Sequence, residues 1–250
     1  TGMVFSNSKE GFMAFRKLSY ILGLFAIIFQ SLLTLPVIGH FVFGTLLKLP
    51  PPIEASAYQV ILVGIPLQFL FFIRNPYTVA LYVHKATAKA SVPSFARIIA
   101  TAILAKAFVS FDLVGIKWAV ICMTLPVAIE TLLYWQFAIP YIKKMEPTKT
   151  RIASKWEMFF FNIPISISSM LIFLTSFIMA AYISRAPHPE QMLPVYVLAL
   201  GLVNPVSFAA TKIQPIVILF SDETKGRYIL PQYAIVSGLV LGAIPLLTLF

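Results

Sequence analysis

Charged residues are scarce in this chain of 250 residues. They make up 11% of it, less than half of the roughly 25% that is usual in soluble domains. Cysteine is scarcer still, because Cys122 is the only one, which excludes an intrachain disulfide and a cysteine-rich metal site. No Gly-x-x-x-x-Gly-Lys-Ser/Thr segment occurs, so the chain has no phosphate-binding loop of the kind that drives ATP hydrolysis.

Most of the chain is apolar. The chain is 59% hydrophobic, and its mean hydropathy is +0.89. A helix of about 20 apolar residues matches the roughly 30 Å hydrocarbon core of a bilayer. Seven stretches reach that length, at 17–43, 58–83, 95–112, 116–140, 157–183, 192–220 and 229–250. We therefore predict an all-α membrane protein whose first partner is the lipid bilayer.

Basic residues give the chain a net charge of +10 and predict its orientation. One set of alternate connections carries thirteen Lys and Arg, Arg97 among them, and the other set carries three, Lys48, Lys117 and Arg185. Basic loops stay on the cytoplasmic side, so we predict a multi-pass protein of the cell membrane with the residue 1 end in the cytoplasm. Because the charge follows this alternation, no nucleic-acid partner is predicted.

The ends of the chain and an internal echo predict a larger protein. The chain starts without Met and stops in an apolar stretch, so we expect the middle of a longer sequence. Four features recur at a constant offset, namely Phe5-Ser6, Gly11 and Gly23 as Phe220-Ser221, Gly226 and Gly238. Six predicted spans separate the copies, which predicts two bundles in parallel orientation. Transporters are often built from such repeats, with the substrate site between the halves.

Three segments resemble a known family. They are GMVFSNSK at 2–9, FFIRNPYTVALYVHKATAKAS at 71–91 and NPVSFAATKIQPIVILFSDE at 204–223. They resemble the progressive ankylosis (ANK) membrane protein family, which lies within the MOP superfamily of multidrug-and-toxin extruders (MATE), oligosaccharide flippases and the lipid II flippase.

The resemblance implies a MATE-like fold of two six-helix bundles that face each other in a V. The seven spans would be the third to ninth of twelve helices. Residues 1–140 would then belong to the N-terminal bundle, 141–156 would be the cytoplasmic linker, and 157–250 would begin the C-terminal bundle. Animal members of the ANK family are implicated in exporting pyrophosphate, ATP and citrate. The resemblance therefore implies a secondary transporter of a small organic or phosphate-containing anion.

Ionisable residues inside the apolar spans are the candidates for function, because a charge in the membrane is costly. Arg74 lies deep in the second predicted span, and Pro76 is predicted to kink that helix beside Asn75 by removing a hydrogen bond. The guanidinium would then face a cavity and bind a carboxylate or phosphate through two N–H donors. The alternative partner is Glu130 of the fourth span, in a structural ion pair or as a coupling group.

Lys212 of the sixth predicted span either faces the same cavity or extends to the interface, which its long stem permits. A polar stripe at helical spacing favours the cavity, and its members are Asn204, Ser207, Thr211 and Gln214. We therefore predict Asn204, Lys212 and Gln214 as substrate ligands together with Arg74 and Asn75.

Other functions remain open at this point. A lipid-linked saccharide flippase or a multidrug antiporter would have the same helices, and the count of seven spans with Lys212 also fits a seven-helix receptor or retinal protein. An enzyme is not predicted, because no nucleophile or acid–base pair occurs at catalytic spacing. No cofactor or metal is predicted, and the coupling cation, a proton or sodium, is left open.

The predicted orientation can be tested by labelling. Lys85→Cys and Lys144→Cys should be cytoplasmic, and Lys48→Cys and Arg185→Cys should be external, each in a Cys122→Ser background. A membrane-impermeant thiol reagent applied to intact cells should label positions 48 and 185 and spare positions 85 and 144. The opposite pattern would show that the charge bias had been assigned to the wrong side.

Overall fold

The computed structural model describes residues 2–147, 153–211 and 226–247, and within these ranges the chain forms helices and no strand. The chain divides into two compact units, Thr1–Arg185 and Ala186–Phe250. The linker predicted at 141–156 lies partly outside the described residues and stays a prediction.

The first unit holds most of the helices. A π-helical segment, His40–Leu46, follows directly after α3. The α-helices are α1 (Gly2–Phe5), α2 (Lys9–Leu33), α3 (Pro36–Gly39), α4 (Pro51–Val63), α5 (Ile65–Val83), α6 (Thr87–Ser110), α7 (Ile116–Lys144) and α8 (Lys155–Ile183). In the second unit, α9 (Pro189–Thr211) packs against α10 (Gly226–Leu247).

Helix starts follow local sequence signals. The Ser8 hydroxyl accepts a hydrogen bond from the Gly11 backbone N–H at 3.2 Å before α2. Before α8, the Ser154 hydroxyl accepts from the Glu157 N–H at 3.1 Å, and the Glu157 carboxylate accepts from the Ser154 N–H at 2.8 Å. This reciprocal pair is a capping box, which supplies acceptors for two backbone N–H groups that have no hydrogen-bond partner within the helix. Pro51 begins α4, a position where its missing N–H removes no helical bond.

The first helix differs from the predicted span at 17–43. It runs over Lys9–Leu33, because Ser8 caps it early and Phe12 is fully buried, so its first turns pack inside the protein. It ends before Pro36, since proline lacks the N–H that would continue the helix and restricts the residue before it. The remainder of the predicted span is α3 and the π-helical segment.

The second predicted span, 58–83, is a bent pair of helices. The helices α4 and α5 meet at an angle of 43°, and the single residue between them is Gly64. Pro76 lies inside α5, which is helical on both sides of it, and the kink predicted at Pro76 stays a prediction. The 43° bend at Gly64 lies some three turns earlier and was not predicted.

The helices suit a membrane by length and composition. Three of those described, α2, α6 and α7, are long and apolar enough to cross a bilayer, and the bent pair α4–α5 brings the number to four if it counts as one span. In α6, Phe95, Ile98, Ile99 and Ile103 are each 59–65% exposed. An apolar stripe of this kind fits a lipid-covered surface, since soluble monomers rarely expose large apolar patches. The count of seven spans and the MATE-like arrangement stay predictions.

The core of the first unit forms where α5 packs against both α2 and α7, and α7 packs against α6. Its buried centre contains Phe12, Tyr77, Leu81, Tyr134 and Ala138. These side chains come from α2, α5 and α7, so the same helices that form the core also bring together any polar group on their inner faces.

Gly23 sets how closely α2 approaches α5. A Cβ atom placed there would lie 2.8 Å from Cβ of Phe72, whereas a Cβ at Gly238 meets nothing within 4 Å. We expect Gly23→Leu to destabilise the protein by about 1–3 kcal/mol through overpacking. Gly238→Leu should be neutral or stabilising by up to about 1 kcal/mol, because leucine favours a helix more than glycine does.

Thermal unfolding of the two glycine variants in detergent provides the test. Gly238 is the matched control, since it is the position that corresponds to Gly23 in the internal echo. Equal unfolding temperatures for the two variants would contradict the close approach of α2 and α5.

Candidate functional site

Three charged residues meet inside the first unit. Arg74 comes from α5, Arg97 from α6 and Glu130 from α7, and each lies near the middle of its helix. We call them the arginine–glutamate cluster. Its members lie in apolar helices, and an ionisable group inside a membrane-spanning helix is costly.

Glu130 is the centre of the cluster. Its side chain is 1% exposed, and its Oε2 atom forms an ion pair with Nη1 of Arg74. Nη1 of Arg97 lies 3.5 Å from the same oxygen, and the Ser94 hydroxyl donates a hydrogen bond to Oε1 at 3.0 Å. Both carboxylate oxygens are therefore engaged, which is what an ionised group in the interior requires.

Two hydroxyl groups continue the network from Glu130. The Ser94 and Tyr134 oxygens lie 3.1 Å apart, and the Tyr134 hydroxyl donates to the carbonyl of Ala90 at 2.7 Å. Each hydroxyl has one proton to donate. Since the charged Glu130 is the stronger acceptor for Ser94, the proton of Tyr134 is the one shared between Ala90 and Ser94. Ser94 thereby holds the carboxylate in position, and Tyr134 holds Ser94.

Glu130 engages only part of the hydrogen-bonding capacity of the two arginines. A guanidinium carries five N–H donors, yet the contacts to Glu130 engage one amine nitrogen of each arginine. The Arg74 guanidinium also lies 4.9 Å from the ring centre of Phe71, a cation–π distance. The remaining donors are arranged as planar forks, the geometry that binds a carboxylate or phosphate through two oxygens.

The positive and negative charges of the cluster differ in their exposure. Two guanidiniums and one carboxylate leave a net charge of +1. The carboxylate is buried, whereas the Arg74 and Arg97 side chains are 22% and 36% exposed. The accessible side of the cluster is therefore cationic. Lipid tails solvate a guanidinium poorly, so a cationic side of this kind favours contact with water or other polar groups.

A buried proline accompanies the cluster in each of its helices. These are Pro76 in α5, Pro93 in α6 and Pro126 in α7. Each lies within four residues of a charged member of the cluster. A proline inside a helix removes one backbone hydrogen bond and weakens the helix there. All three helices are thus weakened near the charges they carry.

Arg97 is the member that sequence reasoning missed. It was assigned to a cytoplasmic connection, and that assignment is wrong, because α6 begins at Thr87 rather than at residue 95. Removing it from the cytoplasmic count leaves the direction of the charge bias unchanged. The available signal was its spacing: Ser94, Arg97 and Thr101 lie three and four residues apart and so share a helix face, away from the exposed apolar stripe.

The other predicted site residues fall in different places. Asn75 is exposed, and neighbouring helix positions point about 100° apart, so it does not join Arg74 in the cluster. Asn204 is half-buried in α9 of the second unit. Lys212 and Gln214 lie outside the described residues. The structure therefore brings together Arg74 and Glu130 of the predicted set, and adds Arg97 and Ser94 to them.

A second polar pair lies near the start of α4. Nδ1 of His40, in the π-helical segment, is 2.8 Å from Oε1 of Glu54. The imidazole of His40 is mostly exposed, whereas the Glu54 side chain is mostly buried. Among the described residues, no group of three or more His, Cys, Asp or Glu side chains could hold a metal ion.

Comparisons with protein families, with curated proteins and with solved structures find no match for this chain. Only the geometry of the cluster and the resemblance of three segments therefore bear on the function of this chain.

The ion pair between Arg74 and Glu130 is expected to be a major contribution to stability. Arg74→Gln should cost about 1–3 kcal/mol, less than the loss of one partner from an isolated buried pair, because Arg97 lies 3.5 Å from the same oxygen and still compensates part of the Glu130 charge. Adding Glu130→Gln removes that charge and should recover part of the loss. Lys117→Gln, at an exposed position of α7, is the control and should change stability by about 0.5 kcal/mol or less.

A double-mutant cycle measures the pair directly. The free energies of unfolding of the two single variants and the double variant would be compared in detergent micelles. Additive effects would contradict the coupling, since independent sites add and sites in contact do not.

Proposed function

We propose that this chain forms the core of a secondary transporter that binds a small organic or phosphate-containing anion inside the membrane and exports it by alternating access. The observation that carries the proposal is the arginine–glutamate cluster, which has net positive charge in the middle of three apolar helices. An ionisable group at that depth is retained against a cost of several kcal/mol, and substrate or ion pathways are where such groups occur.

A structural ion pair alone would not need the second arginine. One arginine neutralises Glu130, and Ser94 already engages the second carboxylate oxygen. Arg97 adds a further positive charge and further N–H donors beside the same carboxylate. An excess of cationic, forked donors is the arrangement that an anion-binding site requires.

The sign of the net charge of the cluster also distinguishes between the candidate functions. A multidrug antiporter for cations would benefit from net negative charge at its binding site, and this cluster has net positive charge. A lipid-linked saccharide flippase fits the sign, since its cargo carries phosphate. We place the chain with the ANK family in the MATE-like superfamily as part of the same proposal, on the resemblance of three segments. The coupling cation remains a proton or sodium.

Transport by liposomes that contain the protein tests the proposal. Arg74→Lys keeps the charge and loses the planar fork, so it should weaken the uptake of oxyanions by tenfold or more, equivalent to about 1.4 kcal/mol or more. Lys106→Gln, at an exposed position of α6, is the control and should leave uptake unchanged. A panel of carboxylates and phosphate-containing anions would be used. Full activity in Arg74→Lys would contradict a bidentate site.

A further inference from the structure

The charges of the cluster can be counted against those of a ligand. With Glu130 ionised, the cluster has a net charge of +1. A bound anion with one negative charge brings the total to zero. An anion with two negative charges would leave a net charge of −1 among helices that exclude water, next to a carboxylate that is already ionised, which is strongly unfavourable.

A proton on Glu130 would restore the balance. The protonated carboxyl is neutral, so the two arginines then balance both charges of a dianion. The proton comes from water as the dianion binds and returns to water when the dianion leaves. In the neutral form the carboxyl also donates a hydrogen bond, and the ligand takes over the arginine donors that Glu130 engages.

The ionisable groups around Glu130 can be named for the described part of the chain. Its facing ionisable groups are Arg74 and Tyr82 from α5, Arg97 from α6 and Tyr134 of its own helix. In the described part of the chain, no hydrogen bond or ion pair joins Glu130 to α4, the other helix that packs against α7. Arginine stays protonated in proteins and tyrosine is neutral at pH 7, so of these groups only the Glu130 carboxylate has a site for an added proton.

We infer that the arginine–glutamate cluster selects its ligand by charge: it binds a monoanion with Glu130 ionised, and it binds a dianion together with one proton on Glu130. The inference rests on the proposed function and names the substrate class and the coupled ion of the same site. The expected substrates are carboxylates or phosphate compounds that carry one negative charge at the site, or two with a proton.

Two probes of nearly equal shape separate the cases. Succinate is a dianion at pH 7, and succinamate replaces one carboxylate by a neutral amide. Their binding to the protein in detergent micelles would be measured by calorimetry in Tris and in imidazole, whose protonation enthalpies differ, so that the protons taken up per ligand are obtained. We expect about one proton with succinate and none with succinamate.

Substitutions of Glu130 identify the group that takes the proton. Glu130→Gln mimics the protonated form, so proton uptake should vanish and the preference for succinate over succinamate should rise about tenfold. Glu130→Asp keeps the acid and should keep the proton uptake. Lys117→Gln is the control and should match the unmodified protein. If Glu130→Gln does not fold, the difference in proton uptake between succinate and succinamate in the unmodified protein still tests selection by charge, and Glu130→Asp tests the role of this residue.

The outcomes distinguish the inference from the function on which it rests. Binding of both probes with the same proton uptake would overturn charge selection through Glu130 and leave an anion site in place. Failure of the folded protein to bind either probe would overturn the anion site itself, and with it the proposed function.

Discussion

The cost of an ionised carboxylate inside a membrane protein is the constraint on which the first unit depends. Glu130 is almost fully buried, so each of its oxygens must be matched by a donor, and the donors must arrive from other helices. Arg74 from α5 and Ser94 from α6 meet this need at the middle of α7. The same contacts fix how the three helices lie against one another, because a shift of any one by a turn would leave a charge unpaired. Packing of apolar side chains alone would fix the alignment of the helices less strictly, because neighbouring turns of an apolar helix offer similar surfaces.

The sequence predicted the class of the fold well and its details less well. Long apolar runs predict membrane helices because length and hydropathy are local properties, and α2, α6, α7 and the bent pair α4–α5 follow from them. Helix boundaries depend on caps and on burial by other segments, so the early start of α2 at Lys9 was missed. The bend at Gly64 was missed for a similar reason, because Pro76 is the stronger local signal but α5 continues through it.

The candidate site was half predicted. Arg74 and Glu130 stand out because each is a single charge in an apolar run, and their pairing was one of two alternatives drawn from similar depth. Arg97 was hidden by its position close to a basic connection, where an arginine has an ordinary topological explanation. Ser94 had no signal beyond its spacing from Arg97. Contacts between helices join residues that are far apart in the chain. A single sequence predicts such a contact only where a residue type is unusual for its surroundings.

The three buried prolines have a mechanical consequence. Each of α5, α6 and α7 lacks a backbone hydrogen bond within about one turn of a charge of the cluster. The weakened segments of α6 and α7 lie on opposite sides of the cluster, because these two helices are antiparallel: Tyr134 donates to Ala90, just before Pro93, whereas Cys122, one turn before Pro126, donates to Thr101. Bending stiffness is lowest where a backbone hydrogen bond is missing. The charged centre therefore lies between two softer segments, one in each helix of this pair.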